Sequence, residues 1–176
     1  MELSILHAIQ NIHTPWLDPV MIFVSFLGNG GLFWIALSIV LVCFKKTRRC
    51  GVLMMIAMAV CFVAGNLVIK NLVARPRPFV VDPSVILKVP IPGEYSFPSG
   101  HTMNGFSAAT VIFLNNRKAG IAALCFAALI AFSRMYLFVH FPTDILGGLI
   151  IGVSAAFLSV KIIGKKLYAP KPEAQQ

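Results

Sequence analysis

Three short polar clusters interrupt an otherwise apolar chain, and their residue types suit anion binding and proton transfer. The clusters are Lys70-x6-Arg77-Pro78, Pro98-Ser99-Gly100-His101 and Ser133-Arg134-x5-His140-x3-Asp144. Lysine and arginine donate charged hydrogen bonds to phosphate oxygens, and a glycine at a helix start lets backbone amides approach an anion. One imidazole can attack phosphorus while another acts as general acid. The clusters therefore predict metal-independent phosphoryl transfer.

Each side chain has an expected part in this chemistry. The expected phosphate ligands are Lys70, Arg77, Ser99, Gly100 and Arg134. If a helix begins near Pro142, the Asp144 carboxylate can hold the N–H of the His140 imidazole that does not face the substrate. The residues alone leave open which histidine attacks, although the spacing to Asp144 favours His140. Neither a zinc-type cluster nor paired carboxylates for magnesium occur, so no metal or cofactor is expected.

The composition predicts an integral membrane protein that is all-α. Of 176 residues, 58% are hydrophobic and only 12% are charged, and the mean hydropathy is +0.84. Soluble domains are typically about a quarter charged. The net charge of +9 arises from basic residues in short loops between apolar segments. That distribution favours membrane topology and argues against a nucleic-acid partner.

Six apolar segments predict a transmembrane bundle in a single domain, residues 1–176. The predicted spans, within residues 15–163, are 16–27, 32–44, 50–73, 101–114, 119–139 and 145–163. The first two are expected to form a hairpin with a turn at Gly28–Gly31. Residues 1–14 are too short to cross about 30 Å of hydrocarbon and predict an interfacial helix. Within it, His7 and His13 are expected to be surface residues without an acidic partner.

The basic residues also predict an orientation. Ten of the fifteen lie in the loops after the second and fourth spans and toward the C-terminus. The positive-inside rule puts that side in the cytosol. With six spans, both termini, including the tail 164–176, are cytosolic, and the polar clusters face outward. The pair Gly148 and Gly152 predicts close helix packing within the bundle, with a homodimer face as the alternative.

The three clusters together resemble the type 2 phosphatidic acid phosphatase superfamily, whose motifs are complete across residues 70–144. The resemblance implies that His140 is the nucleophile, that Asp144 orients it, and that His101 is the general acid and base. It implies phosphate binding by the five ligands named above. Arg75 is outside the pattern and is expected to contact a lipid headgroup. Three residues before the second motif, Glu94, Tyr95 and Ser96, are expected to shape the pocket rim.

The resemblance also implies a substrate class. Small bacterial members act on undecaprenyl pyrophosphate, phosphatidylglycerol phosphate, phosphatidic acid or lipid A phosphates. The compact size favours undecaprenyl pyrophosphate, hydrolysed at the outer face of the cell membrane. One alternative is a lipid transporter whose cationic pocket binds headgroups without cleaving them, although it would not need both histidines. The other is vanadate-dependent peroxidation, which related soluble haloperoxidases perform and which six spans disfavour.

Overall fold

The computed structural model describes residues 1–163, and all regular structure in that part of the chain is helical. Its α-helices are α1 (Glu2–Gln10), α2 (Leu17–Leu27), α3 (Leu32–Cys43), α4 (Arg48–Cys61), α5 (Lys70–Val73), α6 (Pro78–Val81), α7 (Gly100–Asn115), α8 (Arg117–Tyr136) and α9 (Pro142–Leu158). A 3-10 turn covers Asn29–Gly31, and π-helical segments cover Phe62–Ile69 and Ser159–Ile163. The all-α prediction is confirmed for these residues. The predicted tail, 164–176, lies outside them.

Helix α7 lies at the centre of the bundle, in contact with α4, α8 and α9. Small residues allow α9 to approach it closely. A Cβ on Gly148 would lie 2.8 Å from the Ser99 carbonyl, and one on Gly152 would lie 2.6 Å from the Met103 carbonyl. Any larger residue would force the two helices apart. The pair Gly148 and Gly152 is therefore used for packing inside the bundle, as its spacing predicts.

Three helical stretches are long and apolar enough to cross a membrane: Arg48–Val81, Arg117–Tyr136 and Pro142–Ile162. They correspond to the third, fifth and sixth predicted spans. Helix α7 corresponds to the fourth, but its 16 residues reach only about 24 Å. The short α7 begins below the level at which its neighbours end, so the residues at its start are recessed within the bundle.

Helices α2 and α3 do not form the predicted hairpin. They are bent by 47° at the glycine-rich break and continue in the same general direction. Each helix alone is too short to cross about 30 Å of hydrocarbon, whereas residues 17–43 together reach about 40 Å. Their contacts move along α8 from its C-terminal end toward its N-terminal end: Asp18 with Tyr136, Ser25 with Arg134, Gly28 with Ile130, and Phe33 with Phe126.

This single bent passage changes the predicted topology. The described chain passes along the bundle five times, not six. Helix α1 consequently lies at the same end as the polar clusters, where Glu2 contacts Arg75 and Thr143. The segment Ser159–Ile163, which continues α9, ends at the opposite end. The expectation that both termini share one side is therefore wrong for the described ends of the chain.

The N-terminal helix is tied to this polar end by side chains from both of its faces. Leu6 is fully buried in a cluster with Phe138 and Phe141. His7 Nε2 lies 2.7 Å from an Asp82 carboxylate oxygen, and His13 Nδ1 lies 3.1 Å from Asp18 Oδ1. The expectation that these histidines lack acidic partners is wrong, because the chain brings Asp82 to His7 from 75 residues away and Asp18 lies within reach of His13.

Candidate active site

The three polar clusters meet around one cavity of about 600 Å³ at the end of the bundle that carries α1. Six of the eight predicted site residues line it: Lys70, Arg77, Gly100, His101, Arg134 and His140. Ser99 and Asp144 are fully buried and do not line the cavity. The predicted residues thus form a single site with two members behind its wall.

The first cluster reaches the cavity from two elements. The π-helical segment Phe62–Ile69 runs directly into Lys70, and such segments are frequent at functional sites. Helix α5 then ends at Ala74, whose φ of 47° is left-handed and turns the chain sharply. A non-glycine residue pays about 1–2 kcal/mol for that conformation. The turn brings Arg77 back beside Lys70 on the same cavity.

A carboxylate already lies beside these two cations. Lys70 Nζ donates to Glu94 Oε2 at 2.6 Å, and Arg77 Nε donates to the Glu94 carbonyl at 2.7 Å. Lys70 and Arg77 are each only 5% exposed, whereas Glu94 is exposed. The hydrogen bond from Lys70 lowers the pKa of Glu94, so this residue is ionised at neutral pH. The cationic pair therefore sits where it can hold an anion.

The second cluster forms the start of α7. Ser99 is extended and precedes the first helical residue, Gly100. The Ser99 amide donates to the Asp144 carbonyl at 3.1 Å, which joins this cluster to the third. A Cβ on Gly100 would lie 3.3 Å from Asn66 Oδ1, so the absence of a side chain keeps the helix start open toward the cavity. Free amides at such a helix start favour an anion.

His101 is held by the break between α2 and α3. Its Nε2 lies 2.9 Å from Asn29 Oδ1. Gly28 packs directly against the ring, since a Cβ there would lie only 2.6 Å from His101 Cδ2. The sequence does not reveal this function of Gly28 and Asn29, because a glycine-rich segment between two apolar segments predicts only a turn. The signal in the sequence was Asn29, a single amide side chain between two apolar segments.

The third cluster begins at the end of α8 with Arg134, which is 6% exposed. One of its Nη atoms donates to the Ser25 hydroxyl on α2. Its buried Nε has no hydrogen-bond partner among residues 1–163. A buried guanidinium with a free donor in a cavity is costly unless an anion or water accepts from it. Ser25 was not predicted, and a serine in an apolar helix was its only signal.

His140 lies in the loop between α8 and α9, and is 2% exposed. The loop contains Phe138, a buried residue with a left-handed φ of 59°. Burial lowers the pKa of His140 to about 3, so its imidazole is neutral at physiological pH. Arg77 Nη1 lies 3.3 Å from its Nε2, the nitrogen on the cavity side. A neutral imidazole with a lone pair toward an anion site can act as a nucleophile.

Asp144 lies in the first turn of α9, which begins at Pro142, so the condition for its approach to His140 is met. Its Oδ2 is 3.5 Å from His140 Nδ1, a longer separation than an ordinary hydrogen bond. The same oxygen accepts from the Phe141 amide at 2.8 Å and from the Ser96 hydroxyl. These two donors hold Oδ2, and neither of them contacts the other carboxylate oxygen, Oδ1.

Two expectations for residues near the motifs need correction. Arg75 is not free to contact a headgroup, because its guanidinium pairs with Asp144 and Glu2. Ser96 is fully buried and bonds Asp144, so it is not a rim residue. Glu94 lines the cavity as expected, while Tyr95 remains half exposed outside its lining. These contacts depend on chain folding that local spacing does not encode.

The arrangement combines three buried cations, an open helix start and two histidines around one cavity. The cations and amides can neutralise the charge of a phosphoryl group and leave the chemistry to the histidines. The cavity also has an apolar side, formed by Ile22 and Phe26 of α2 together with Val89 and Ile91. A ligand with a phosphate and a hydrocarbon part fits both sides.

Comparisons with known proteins agree with this chemistry. The family model of the PAP2 superfamily matches residues 48–168. The chain is 36% identical to an undecaprenyl-diphosphatase of Sulfolobus acidocaldarius over 148 residues, which cover 83% of this chain and 70% of the relative. It is 33% identical to phosphatidylglycerophosphatase B of Bacillus subtilis over 163 residues, covering 84% and 75%. The crystal structure of Aquifex aeolicus LpxE matches with a TM-score of 0.81 at 29% identity, covering 91% of this chain and 94% of that one.

Proposed function

Because the chain belongs to the PAP2 superfamily and is a lipid phosphatase, we propose that it hydrolyses undecaprenyl pyrophosphate through a phosphohistidine at His140. The similarity to an undecaprenyl-diphosphatase over most of both chains carries the substrate proposal. The neutral, buried His140 beside Arg77 carries the mechanistic one. The remaining site residues then have complementary parts.

Phosphate binding precedes the chemistry in this proposal. The terminal phosphate enters the cavity between Lys70, Arg77 and Arg134, whose donors match its non-bridging oxygens. The Gly100 amide contributes from the start of α7. Lys70 exchanges its bond with Glu94 for one with the substrate. The free Nε of Arg134 obtains its acceptor in the same step.

Two displacement steps follow. His140 Nε2 attacks the terminal phosphorus, the bond from phosphorus to the bridging oxygen breaks, and His101 donates a proton to the departing undecaprenyl phosphate. Asp144 stabilises the positive charge on the phosphorylated imidazole. His101, now neutral, removes a proton from water, which attacks the phosphohistidine. Breakage of the phosphorus–nitrogen bond releases inorganic phosphate and restores both histidines.

The proposal includes a membrane placement with five spans and the site on the extracytoplasmic side. The basic loops at 45–49 and 117–118, together with Lys161, lie at the end of the bundle opposite the cavity. The positive-inside rule puts that end in the cytosol. Of the basic residues at the site end, three line the cavity and two pair with carboxylates, so none of them weakens this argument: Lys70, Arg77 and Arg134 in the cavity, and Arg75 and Lys88 in ion pairs. Helix α1 then lies at the outer interface.

Phosphatidylglycerol phosphate is the second candidate substrate, supported by the similarity to phosphatidylglycerophosphatase B. The cations of the cavity contact a phosphate in either lipid. The discriminating contacts are therefore those of the apolar side, including Ile22 and Ile91. Phosphatidic acid also contacts the apolar side of the cavity and has a smaller headgroup.

The deciding experiment measures phosphate release by purified protein in EDTA from undecaprenyl pyrophosphate, phosphatidylglycerol phosphate and phosphatidic acid. We expect release from undecaprenyl pyrophosphate to be fastest and absent in His140→Ala. Faster release from phosphatidylglycerol phosphate would reassign the substrate. Loss of activity in EDTA that magnesium restores would overturn the metal-independent mechanism. Tight lipid binding without release from any of the three would favour transport.

A further inference from the structure

Arg75 connects the catalytic loop to the N-terminal helix. Its Nη1 lies 2.7 Å from Asp144 Oδ1 and 2.6 Å from Thr143 Oγ1, and its Nη2 lies 2.5 Å from Glu2 Oε2. The guanidinium carbon also lies 4.1 Å from the centroid of the Phe141 ring. Four contacts hold this side chain in one orientation between α1 and the start of α9.

The position of Arg75 separates it from the phosphate ligands. It does not line the cavity, and both of its terminal nitrogens are engaged by carboxylates. Among its partners, Asp144 is the one whose carboxylate faces the His140 imidazole, and the proposed effect on the reaction passes through it. The Asp144 carboxylate is fully buried, and its Oδ2 faces His140. An uncompensated buried charge of this kind is strongly destabilising. The other carboxylate oxygen, Oδ1, therefore needs a cationic partner, and Arg75 is that partner.

Glu2 gives Arg75 its second anchor. Its Oε1 accepts from the Thr143 amide at 3.2 Å and from the Thr143 hydroxyl at 2.6 Å, while its Oε2 holds Arg75. The first turn of α1 is thereby joined to the first turn of α9. The burial of Leu6 against Phe138 and Phe141 supports the same docking.

We propose that Arg75 is a positioning residue for Asp144 and that Glu2 holds Arg75 in place, so that α1 completes the active site. This Glu2–Arg75–Asp144 relay rests on the proposed function of His140. Arg75 fixes the plane of the Asp144 carboxylate, which keeps Oδ2 directed at His140 Nδ1 as charge develops on the imidazole. Arg75 lies outside the phosphate-binding pattern, and the relay gives it a part in the same reaction.

The first test measures kcat, KM and vanadate inhibition in the full-length protein. For Arg75→Gln we expect kcat to fall about 10- to 100-fold, the loss typical when a group that orients a functional histidine is removed. KM and vanadate inhibition should keep their wild-type values, because the phosphate ligands are unchanged. Arg75→Lys retains one charged donor without the fork and should recover part of the lost kcat.

The second test asks whether Arg75 acts through Asp144. We expect Asp144→Asn to lower kcat, and Arg75→Gln to add no further loss in that background. Residues that act independently would instead give losses that multiply. Thermal unfolding of each variant in detergent confirms that the kinetics come from folded protein. If Arg75→Gln does not fold, Arg75→Lys supports the same comparison.

The third test compares two bonds that tie α1 to the rest of the protein. Glu2→Gln weakens the bonds to Arg75 and Thr143, whereas His7→Gln weakens the bond to Asp82 and the ring contact with Phe138 and leaves the partners of Arg75 in place. We expect Glu2→Gln to lower kcat severalfold and His7→Gln to leave it unchanged. Equal losses in both variants, or multiplying losses in the Asp144→Asn background, would overturn the relay and leave α1 a purely structural part. A His140→Ala variant as active as wild type would instead overturn the proposed function.

Discussion

The cavity has two walls, each built around one histidine, and they hold that histidine differently. The His140 wall, residues 138–144 with Arg75 and Ser96, buries its histidine to 2% exposure among charged partners. The His101 wall is the start of α7 with the break between α2 and α3. It leaves its histidine partly exposed, with the neutral Asn29 as its hydrogen-bond partner.

The difference matches the parts proposed for the two histidines. A nucleophile must stay neutral and aligned with phosphorus, which burial and a fixed carboxylate provide. A general acid and base must exchange protons with the leaving oxygen and then with water, which requires access to the cavity. A neutral amide partner orients the imidazole without fixing its charge. The two walls therefore differ in the rigidity and the charge that each step needs.

The largest expected effect comes from breaking the His140 wall. We expect His140→Ala to abolish turnover, because the variant lacks the imidazole that the proposal makes the nucleophile and that Asp144 and Arg77 position. Vanadate should still bind, because Lys70, Arg77 and Arg134 remain. Turnover is measured by phosphate release and vanadate binding by calorimetry. In a matched experiment with ³²P-labelled substrate, rapid denaturation without acid should trap ³²P on the wild-type protein. The variant should carry no label.

Breaking the His101 wall should have a smaller effect that depends on the leaving group. We expect His101→Ala to slow hydrolysis of an alkyl phosphate such as phosphatidic acid about 10²- to 10⁴-fold, the usual contribution of general acid catalysis. An aryl phosphate with a stable leaving anion needs less protonation and should be slowed less. Equal slowing of both substrates would contradict the assignment of His101 as the general acid.

The burial of His140 also predicts how stability depends on pH. Its pKa is lowered to about 3 in the folded protein, whereas an unfolded histidine has a pKa near 6.5. Below about pH 6.5 the unfolded state takes up a proton that the folded state does not, so stability falls as the pH falls. At pH 5 the loss from this group is about 2 kcal/mol. Thermal unfolding in detergent at pH 8 and pH 5 measures it, and His140→Asn should show a smaller difference.

The structure brings the predicted site residues together around one cavity, and short motifs carry them. The spacing of Lys70 and Arg77, and of His140 and Asp144, is local, and helix geometry decides which side chains can meet. The sequence did not predict Arg75, Asn29 or Ser25 as parts of the site. Their partners lie far away in the sequence, and no local pattern marks such pairs.

The fold was predicted less completely. Composition and hydropathy predicted an all-α membrane protein, and three of the predicted spans match stretches long and apolar enough to cross a membrane. These two criteria failed at Gly28–Gly31, where a kink and a reversing turn have the same residue types. Gly30 and Gly31 adopt left-handed φ values of 58° and 71°, yet the axis bends by only 47°. The short lengths of α2 and α3 were the physical signal that the two form one passage.

The smallest expected effect tests the part of that kink in the His101 wall. Asn29→Ala removes the acceptor 2.9 Å from His101 Nε2. A typical hydrogen bond contributes about 1 kcal/mol, so we expect the turnover of an alkyl phosphate to fall roughly fivefold. The loss should disappear in the His101→Ala background, because Asn29 acts only through that imidazole. Steady-state kinetics of the two single variants and the double variant measure this coupling.

Asn104→Ala is the matched control, because it removes an amide that lines the same cavity from one turn along α7. We expect it to leave the difference between alkyl and aryl phosphates unchanged. A loss in Asn29→Ala that persists without His101 would mean that the α2–α3 break acts on the substrate and not on the imidazole. The two walls would then differ in which groups they present to phosphate. A loss confined to the His101-containing protein makes the kink a positioning device for the general acid.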